Sequence, residues 1–248
     1  MRMKALVGLF SAVAGMLLLG TPAIAEVAVN TPFVKEDISL DPFDPAWERI
    51  STSPVPLMPQ TLFTPRGGGA TKELAVQALQ TPTHLYLRLE WADPTKATAQ
   101  EAHRTEGFDD TVAIQLPLEP EAGVPSPFMG DAEHPVNIWH WKASWQESLD
   151  AAQAHPRTVR DVERDVTEPI FRTGEAVGNL FSQPARSSSV EHLIASGFGT
   201  LTTTQPQAVE GRGVWQSGRW HVVMRRALAA QDQAVEADLR NVRAIPIA

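Results

Sequence analysis

HLYLRLEW, residues 84–91, alternates without a break: Leu85, Leu87, Leu89 and Trp91 fall on one side, His84, Tyr86, Arg88 and Glu90 on the other. A period of two belongs to an extended strand, and four large apolar side chains in phase predict one buried face and one wet face. The rhythm recurs on both sides. Residues 74–79 precede it in the same pattern, and residues 111–116 follow with Val112, Ile114 and Leu116 in phase. Near the C-terminus GVWQSGRWHVVMRRAL, residues 213–228, predicts a hairpin turning at Ser217 and Gly218, with Trp220, Val222 and Met224 set against His221, Val223 and Arg225. Twenty Pro and 16 Gly cut the chain into short segments. The expected fold is mainly β, with long loops and one short helix, WQESLDAAQA, at residues 145–154.

The first 25 residues differ in composition. Arg2 and Lys4 precede an apolar run over residues 5–20, and Ala23, Ile24 and Ala25 supply the small-x-small pattern that signal peptidase accepts. Residues 1–25 are expected to be a secretory signal peptide and residues 26–248 one exported domain. The run is shorter than the roughly 20 residues a membrane-crossing helix needs, so no membrane span is expected. Arg2 and Lys4 are not a twin-arginine pair, which predicts export of the unfolded chain, with any cofactor added afterwards.

The net charge is −8, and loss of the signal would remove two positive charges more. Such acidity argues against nucleic acid or an anionic membrane surface as partner. There is no Cys, which excludes disulfides, an iron–sulfur cluster of the chain's own and a thioether-attached haem. Any haem would be held without covalent bonds to its edge.

Ahead of the strands, TPFVKEDISLDPFDPAWERISTSPVPLMPQ, residues 31–60, reads as an extended arm laid over the domain. Residues 145–189 are polar, charged and punctuated by Pro, and predict a long loop after the short helix. RGGG at residues 66–69 lacks the spacing of a phosphate-binding loop and leads into a strand, so it reads as a turn. Asp109 with Asp110, and Glu133 with His134, are isolated pairs without a second cluster at ligand spacing and read as solvated loop charges. No nucleophile elbow is present, so hydrolytic chemistry has no support.

VNIWHWK, residues 136–142, places Asn137, Trp139 and Trp141 on one face and Ile138, His140 and Lys142 on the other. By spacing alone the two tryptophans are core residues or a sugar-stacking platform, and Met129 is a gap-filler of the core or a ligand. His134, His140 and His221 are candidate ligands by residue type only.

A set of segments carries more. DISLDPFDPAWERI, VPLMPQ, LAVQALQTPTHLYLRLEWADPTKAT, FDDTVAIQLPL, FMGDAEHPVNIWHWKASWQ, VEHLIASGFGTLTTT and GVWQSGRWHVVMRRAL occur in this order. In that order they resemble the γ subunit of the type II dimethyl-sulfoxide-reductase family, the haem-b subunit of chlorate reductase, selenate reductase, dimethylsulfide dehydrogenase and ethylbenzene dehydrogenase. The resemblance implies a single antiparallel β-sandwich similar to a carbohydrate-binding module, one non-covalent haem b and axial Met and Lys ligands. The matching Met is Met129. It also implies a periplasmic electron-transfer subunit without an active site of its own. Its implied partners are a molybdopterin α subunit, an iron–sulfur β subunit and a soluble carrier such as a cytochrome c; the substrate would be an oxyanion such as chlorate or selenate.

Members continue beyond the position of RAIPIA, residues 243–248, into a segment like FAVWDG and then a Lys-bearing stretch expected to supply the second ligand. The five Lys here are Lys4, Lys35, Lys72, Lys96 and Lys142, none in such a segment. The expectation is a domain lacking the family's last segment, or a different second ligand, with Lys142 and His140 as fallback candidates. The alternative of another class is a haem-free β-sandwich that binds a sugar on Trp139 and Trp141 or only supports a complex.

Overall fold

In a computed structural model, residues 27–59, 71–98, 108–154 and 186–248 are described. They form nine strands, one α-helix and one 3-10 turn. The strands are β1 (Ser53–Pro56), β2 (Glu73–Gln80), β3 (His84–Ala92), β4 (Thr111–Pro117), β5 (Val136–Lys142), β6 (Val190–Ala195), β7 (Thr202–Thr203), β8 (Val209–Gln216) and β9 (Arg219–Ala227). The helix α1 (Ala143–Ala154) continues directly from β5, and the 3-10 turn spans Pro45–Arg49. A five-stranded sheet has the order β1-β2-β3-β9-β8 and a four-stranded sheet the order β4-β5-β6-β7, all pairs antiparallel. The protein is an antiparallel β-sandwich. The expected signal at residues 1–25, the RGGG turn and most of the long loop after α1 lie outside the described residues.

Register explains the core. Leu87 and Leu89 of β3 lie opposite Ala78 and Val76 of β2, and opposite Met224 and Val222 of β9, so one face of the larger sheet is apolar across three strands. The smaller sheet presents Ile114, Leu116, Trp139, Trp141 and Val190 to it, in one continuous buried cluster. The β8–β9 hairpin turns at Ser217 and Gly218, both with positive φ (52° and 74°), the backbone of a two-residue hairpin turn that matches strand twist.

Gly213 of β8 lets the two sheets close. A Cβ there would lie 2.2 Å from Cζ2 of Trp141, so the indole rests on bare backbone. Trp141 in turn meets Trp220 edge-on at 4.8 Å between ring centres and Trp91 at 6.2 Å.

One expectation fails on the opposite face of the larger sheet. The face carrying His84, Tyr86, Arg88 and Glu90 is not left to water: Tyr86 and Val223 are fully buried, in a second cluster with Leu79, Trp47 and Ile50. The arm does this. Val34, Ile38 and Leu40 pack on the same cluster, and hydrogen bonds fix the arm along its length. The Val34 N–H donates to Gln80 O (2.8 Å), Gln77 Nε2 donates to the carbonyls of Trp47 and Ile50 (3.0 and 2.6 Å), and Arg88 Nε donates to Pro42 O (2.8 Å). The sandwich is thus roofed on one side by its own N-terminal segment.

Two carboxylates anchor that roof. Asp37 accepts from the Thr81 hydroxyl, the chief cause holding its carboxyl below the ordinary range, and from Thr83 Oγ1 at 3.0 Å. Asp44 caps the 3-10 turn, and the Ala46 N–H it accepts at 3.0 Å is the chief cause of its own lowering. Because both values are lowered by folding, their stabilisation is complete above the ordinary carboxylate range and is lost as pH falls through the lowered values. Acidification below about pH 4 should therefore loosen the arm before the sheets. Hydrogen exchange checks this: protection at the Val34 and Ile50 amides should fall at a higher pH than protection at Leu87.

Candidate functional site

SPFMG, residues 126–130, makes a tight turn at the rim of the smaller sheet. The Gly130 N–H donates to Ser126 O at 3.0 Å, closing the turn. Met129 has φ 66°, a left-handed conformation that costs an L-residue about 1–2 kcal/mol. Gly130 follows at φ 68°, and a Cβ there would lie 2.5 Å from the His134 carbonyl oxygen, so only glycine fits. Asp131 then accepts the N–H groups of Glu133 and His134 at 3.0 and 2.9 Å, which leads the chain into β5.

The strained methionine is pinned from three sides. Its N–H donates to Gln115 Oε1 at 3.0 Å, its carbonyl accepts the Gly197 N–H at 2.8 Å, and its side chain packs on Val136, Ile138, Leu193 and Ala195. Those four residues are apolar positions on the outward face of β5 and β6, opposite in register as Val136 to Ala195 and Ile138 to Leu193. Met129 is only half-buried there. Phe128 beside it and Phe198, next to Gly197, are exposed by 58% and 60%. A backbone outlier held by several independent contacts marks a site where side-chain direction is being specified.

His140 and Lys142 lie further along the same face of β5. Two and four residues beyond Ile138 correspond to roughly 7 and 13 Å of strand. Burial pushes the His140 imidazole down to about 4, with the Lys142 charge the next cause, so the ring is neutral at neutral pH. Lys142 is otherwise engaged: its ammonium pairs with Glu191, a buried carboxylate that also accepts from Thr203 Oγ1 at 2.7 Å, and it lies 4.5 Å from the centre of the Trp145 ring. His134 pairs with Asp131 at 3.1 Å. His221 pairs with Glu90 at 3.2 Å beneath the arm, on the other sheet. The three candidate histidines are therefore not brought together.

Two further expectations are corrected. Trp139 and Trp141 are fully buried between the sheets, so the sugar-stacking alternative has no exposed ring to use. Asp109 and Asp110 are not solvated charges. Asp109 accepts the N–H and hydroxyl of Ser144 at the start of α1, and Asp110 accepts Trp220 Nε1 at 2.9 Å and the Ala97 N–H at 2.7 Å. Burial is the chief cause raising both carboxyls.

Residues that the sequence did not single out also matter. Gln115 reads as an ordinary outward strand residue, yet its amide spans the Met129 turn. His192 is fully buried on the inward face opposite Trp139, and neither ring nitrogen has a partner among the described residues. Burial, and next the Arg226 charge, push it down to about 4. Its inward position puts it across the sheet from Met129. A cavity of about 180 Å³ lies elsewhere, lined by Lys96, Gln146, Glu147, Asp150, Arg212 and Trp215 among others. Small-molecule sites run to about 300–1,000 Å³, so it is too small for a porphyrin, and Met129 does not line it.

The chemistry available at the turn is that of one neutral, soft sulfur donor on an apolar floor. That suits iron in a porphyrin, whose ring needs apolar surface and whose metal accepts a thioether. Among the described residues no group of three or more His, Cys, Asp or Glu is assembled at metal-binding distance, and no helix is long and apolar enough to cross a membrane.

These features define a β-sandwich that presents a single thioether from a rigid turn. The chain belongs to the ethylbenzene dehydrogenase family, whose model matches residues 44–248. It is similar to the chlorate reductase γ subunit of Ideonella dechloratans, at 30% identity over 62% of this chain and 64% of that protein. It is also similar to the dimethylsulfide dehydrogenase γ subunit of Rhodovulum sulfidophilum, at 29% identity over 77% of this chain and 59% of that protein. A Haloferax mediterranei protein, provisionally named as a respiratory nitrate reductase heme subunit, is 29% identical over 90% of this chain and 64% of its own length. The chain thus spans about three fifths of the length of the curated relatives it matches.

Proposed function

We propose that this protein is a haem-b electron-transfer subunit, and that the Met129 thioether is one axial ligand of the haem iron. The observation that carries the reading is the left-handed, three-point-anchored Met129 turn in a chain whose relatives are named as γ or haem subunits of oxidoreductases. Bound haem b supplies a one-electron carrier. The chain's own residues do the rest: Met129 offers an uncharged donor that favours the ferrous state, its turn fixes the direction of that donor, and Val136, Ile138 and Leu193 give it an apolar floor on one side.

By the same reading the protein works in the periplasm after removal of residues 1–25, with residues 26–248 as the haem-binding domain. It docks beside an iron–sulfur β subunit and a molybdopterin α subunit, and exchanges electrons with a soluble carrier such as a cytochrome c. The substrate of the complex is an oxyanion of the chlorate or selenate kind.

The protein, co-expressed with its partner subunits, should show a reducible b-type haem spectrum. In Met129→Ala the signature of thioether ligation should disappear and the reduction potential should fall. An unchanged spectrum in Met129→Ala would sink the ligand assignment. His140→Ala and Lys142→Ala, measured alongside, identify whether either supplies the opposing donor.

A further inference from the structure

We infer that Gln115 is the positioning residue that aims the Met129 thioether at the iron, and so regulates how firmly the iron holds it. The inference rests on the reading of Met129 as an axial ligand.

Gln115 is 7% exposed, on β4 opposite Ile138, whose side chain is part of the floor under Met129. Its one amide makes two bonds to the turn. Nε2 donates to Ser126 O at 2.8 Å, and Oε1 accepts the Met129 N–H at 3.0 Å. The first bond holds the start of the turn; the second acts on the ligand residue itself. The turn is already closed by the Gly130 N–H on Ser126 O, so Gln115 is not needed to form it. What the amide adds is an acceptor for the N–H of a residue forced into left-handed backbone, which would otherwise relax.

Gln115 can do this because it cannot itself shift. Its N–H donates to Ala248 O at 2.7 Å and its carbonyl accepts the Ala248 N–H at 3.1 Å, while its other side pairs with β5. Residue type is specified as well: a primary amide both donates and accepts, leucine of similar volume does neither, and glutamate keeps the acceptor but loses the donor.

The test is made on the haem-loaded complex, with two readouts: the near-infrared charge-transfer absorption of thioether-bound ferric haem, and the reduction potential from a redox titration. Losing one neutral hydrogen bond to the ligand residue should shift the balance between thioether-bound and unbound iron by about fivefold. In Gln115→Leu the ratio of thioether-bound to unbound ferric haem, read from that absorption, is expected to fall by that factor and the potential to move towards that of Met129→Ala, with assembly and far-ultraviolet circular dichroism unchanged. Gln115→Glu, which retains the acceptor, should keep most of the absorption.

A native absorption and potential in Gln115→Leu, beside an altered Met129→Ala, overturns the role of Gln115 alone. A Met129→Ala protein indistinguishable from wild type overturns the ligand reading and this inference together. If Gln115→Leu does not assemble, Gln115→Glu decides: the absorption stays in place if the acceptor positions Met129, and its loss in assembled protein overturns the inference.

Discussion

Trp141→Ala should destabilise the fold by about 3–5 kcal/mol, the range for removing a large aromatic side chain from a packed core. The ring is fully buried, sits on the bare backbone of Gly213, and makes edge contacts with Trp91 and Trp220. It joins the two sheets, so its loss opens a gap that neither sheet can fill alone. Trp141→Phe should cost less, because the indole N–H it deletes has no acceptor among the described residues. Gly213→Val approaches the same contact from the other sheet and should also destabilise, since its side chain would occupy the space of the ring. Urea unfolding followed by circular dichroism checks all three. A Trp141→Ala cost under about 1 kcal/mol, the level of a surface substitution, would mean that the sheets are not joined through this residue.

Lys142→Met is expected to cost about 3–5 kcal/mol, the range for breaking a buried ion pair by removing one partner. Lys142 and Glu191 have side chains 12% and 3% exposed and form an ion pair diagonally across β5 and β6, where His140 is the residue opposite Glu191. Removing the ammonium strips the buried Glu191 carboxyl of its cationic partner, while the Thr203 hydroxyl still donates to it. The double variant Lys142→Met with Glu191→Leu should recover most of the loss, because two apolar groups need no compensation. A double-mutant cycle from the same unfolding curves measures the coupling. If Lys142→Met instead left stability unchanged and abolished haem binding, the lysine would be a ligand and not a structural partner.

The strands were legible in the sequence because alternation is a local property. HLYLRLEW names its inward face unaided, and VNIWHWK separates its two faces without saying whether the tryptophan face is core or platform; the structure puts Leu87, Leu89, Trp139 and Trp141 in the core. The burial of Tyr86 and Val223 was not legible from their own strands, since the cover comes from residues 34–50. The apolar residues Val34, Ile38, Leu40, Trp47 and Ile50 within the arm were the available signal that it had something to bury.

At the site the limit is different. Met129 was visible as a residue but not as a backbone outlier, because methionine carries no preference for left-handed conformation as Gly or Asn does. Gln115 had no signal at all. Its function depends on a turn eleven residues away in sequence folding back over its side chain. Asp109 and Asp110 looked like paired loop charges because their partners, the Ser144 N–H at the start of α1 and the Trp220 indole, are recognised only once those elements are in place.

The strand order of the larger sheet also constrains how the molecule comes into being. Its central pair joins β3 to β9, and the Arg88–His221 contact across it spans 133 residues. Closing a loop of that length costs on the order of 4 kcal/mol of chain entropy before any contact repays it. The β8–β9 hairpin, turned at Ser217 and Gly218, is local and can form first. Until it reaches β3, the leucines of β3 have no cover on one side. Folding is then gated by β9, and in a chain delivered from its N-terminus the β3 leucines stay open on that side until residues 219–227 have arrived.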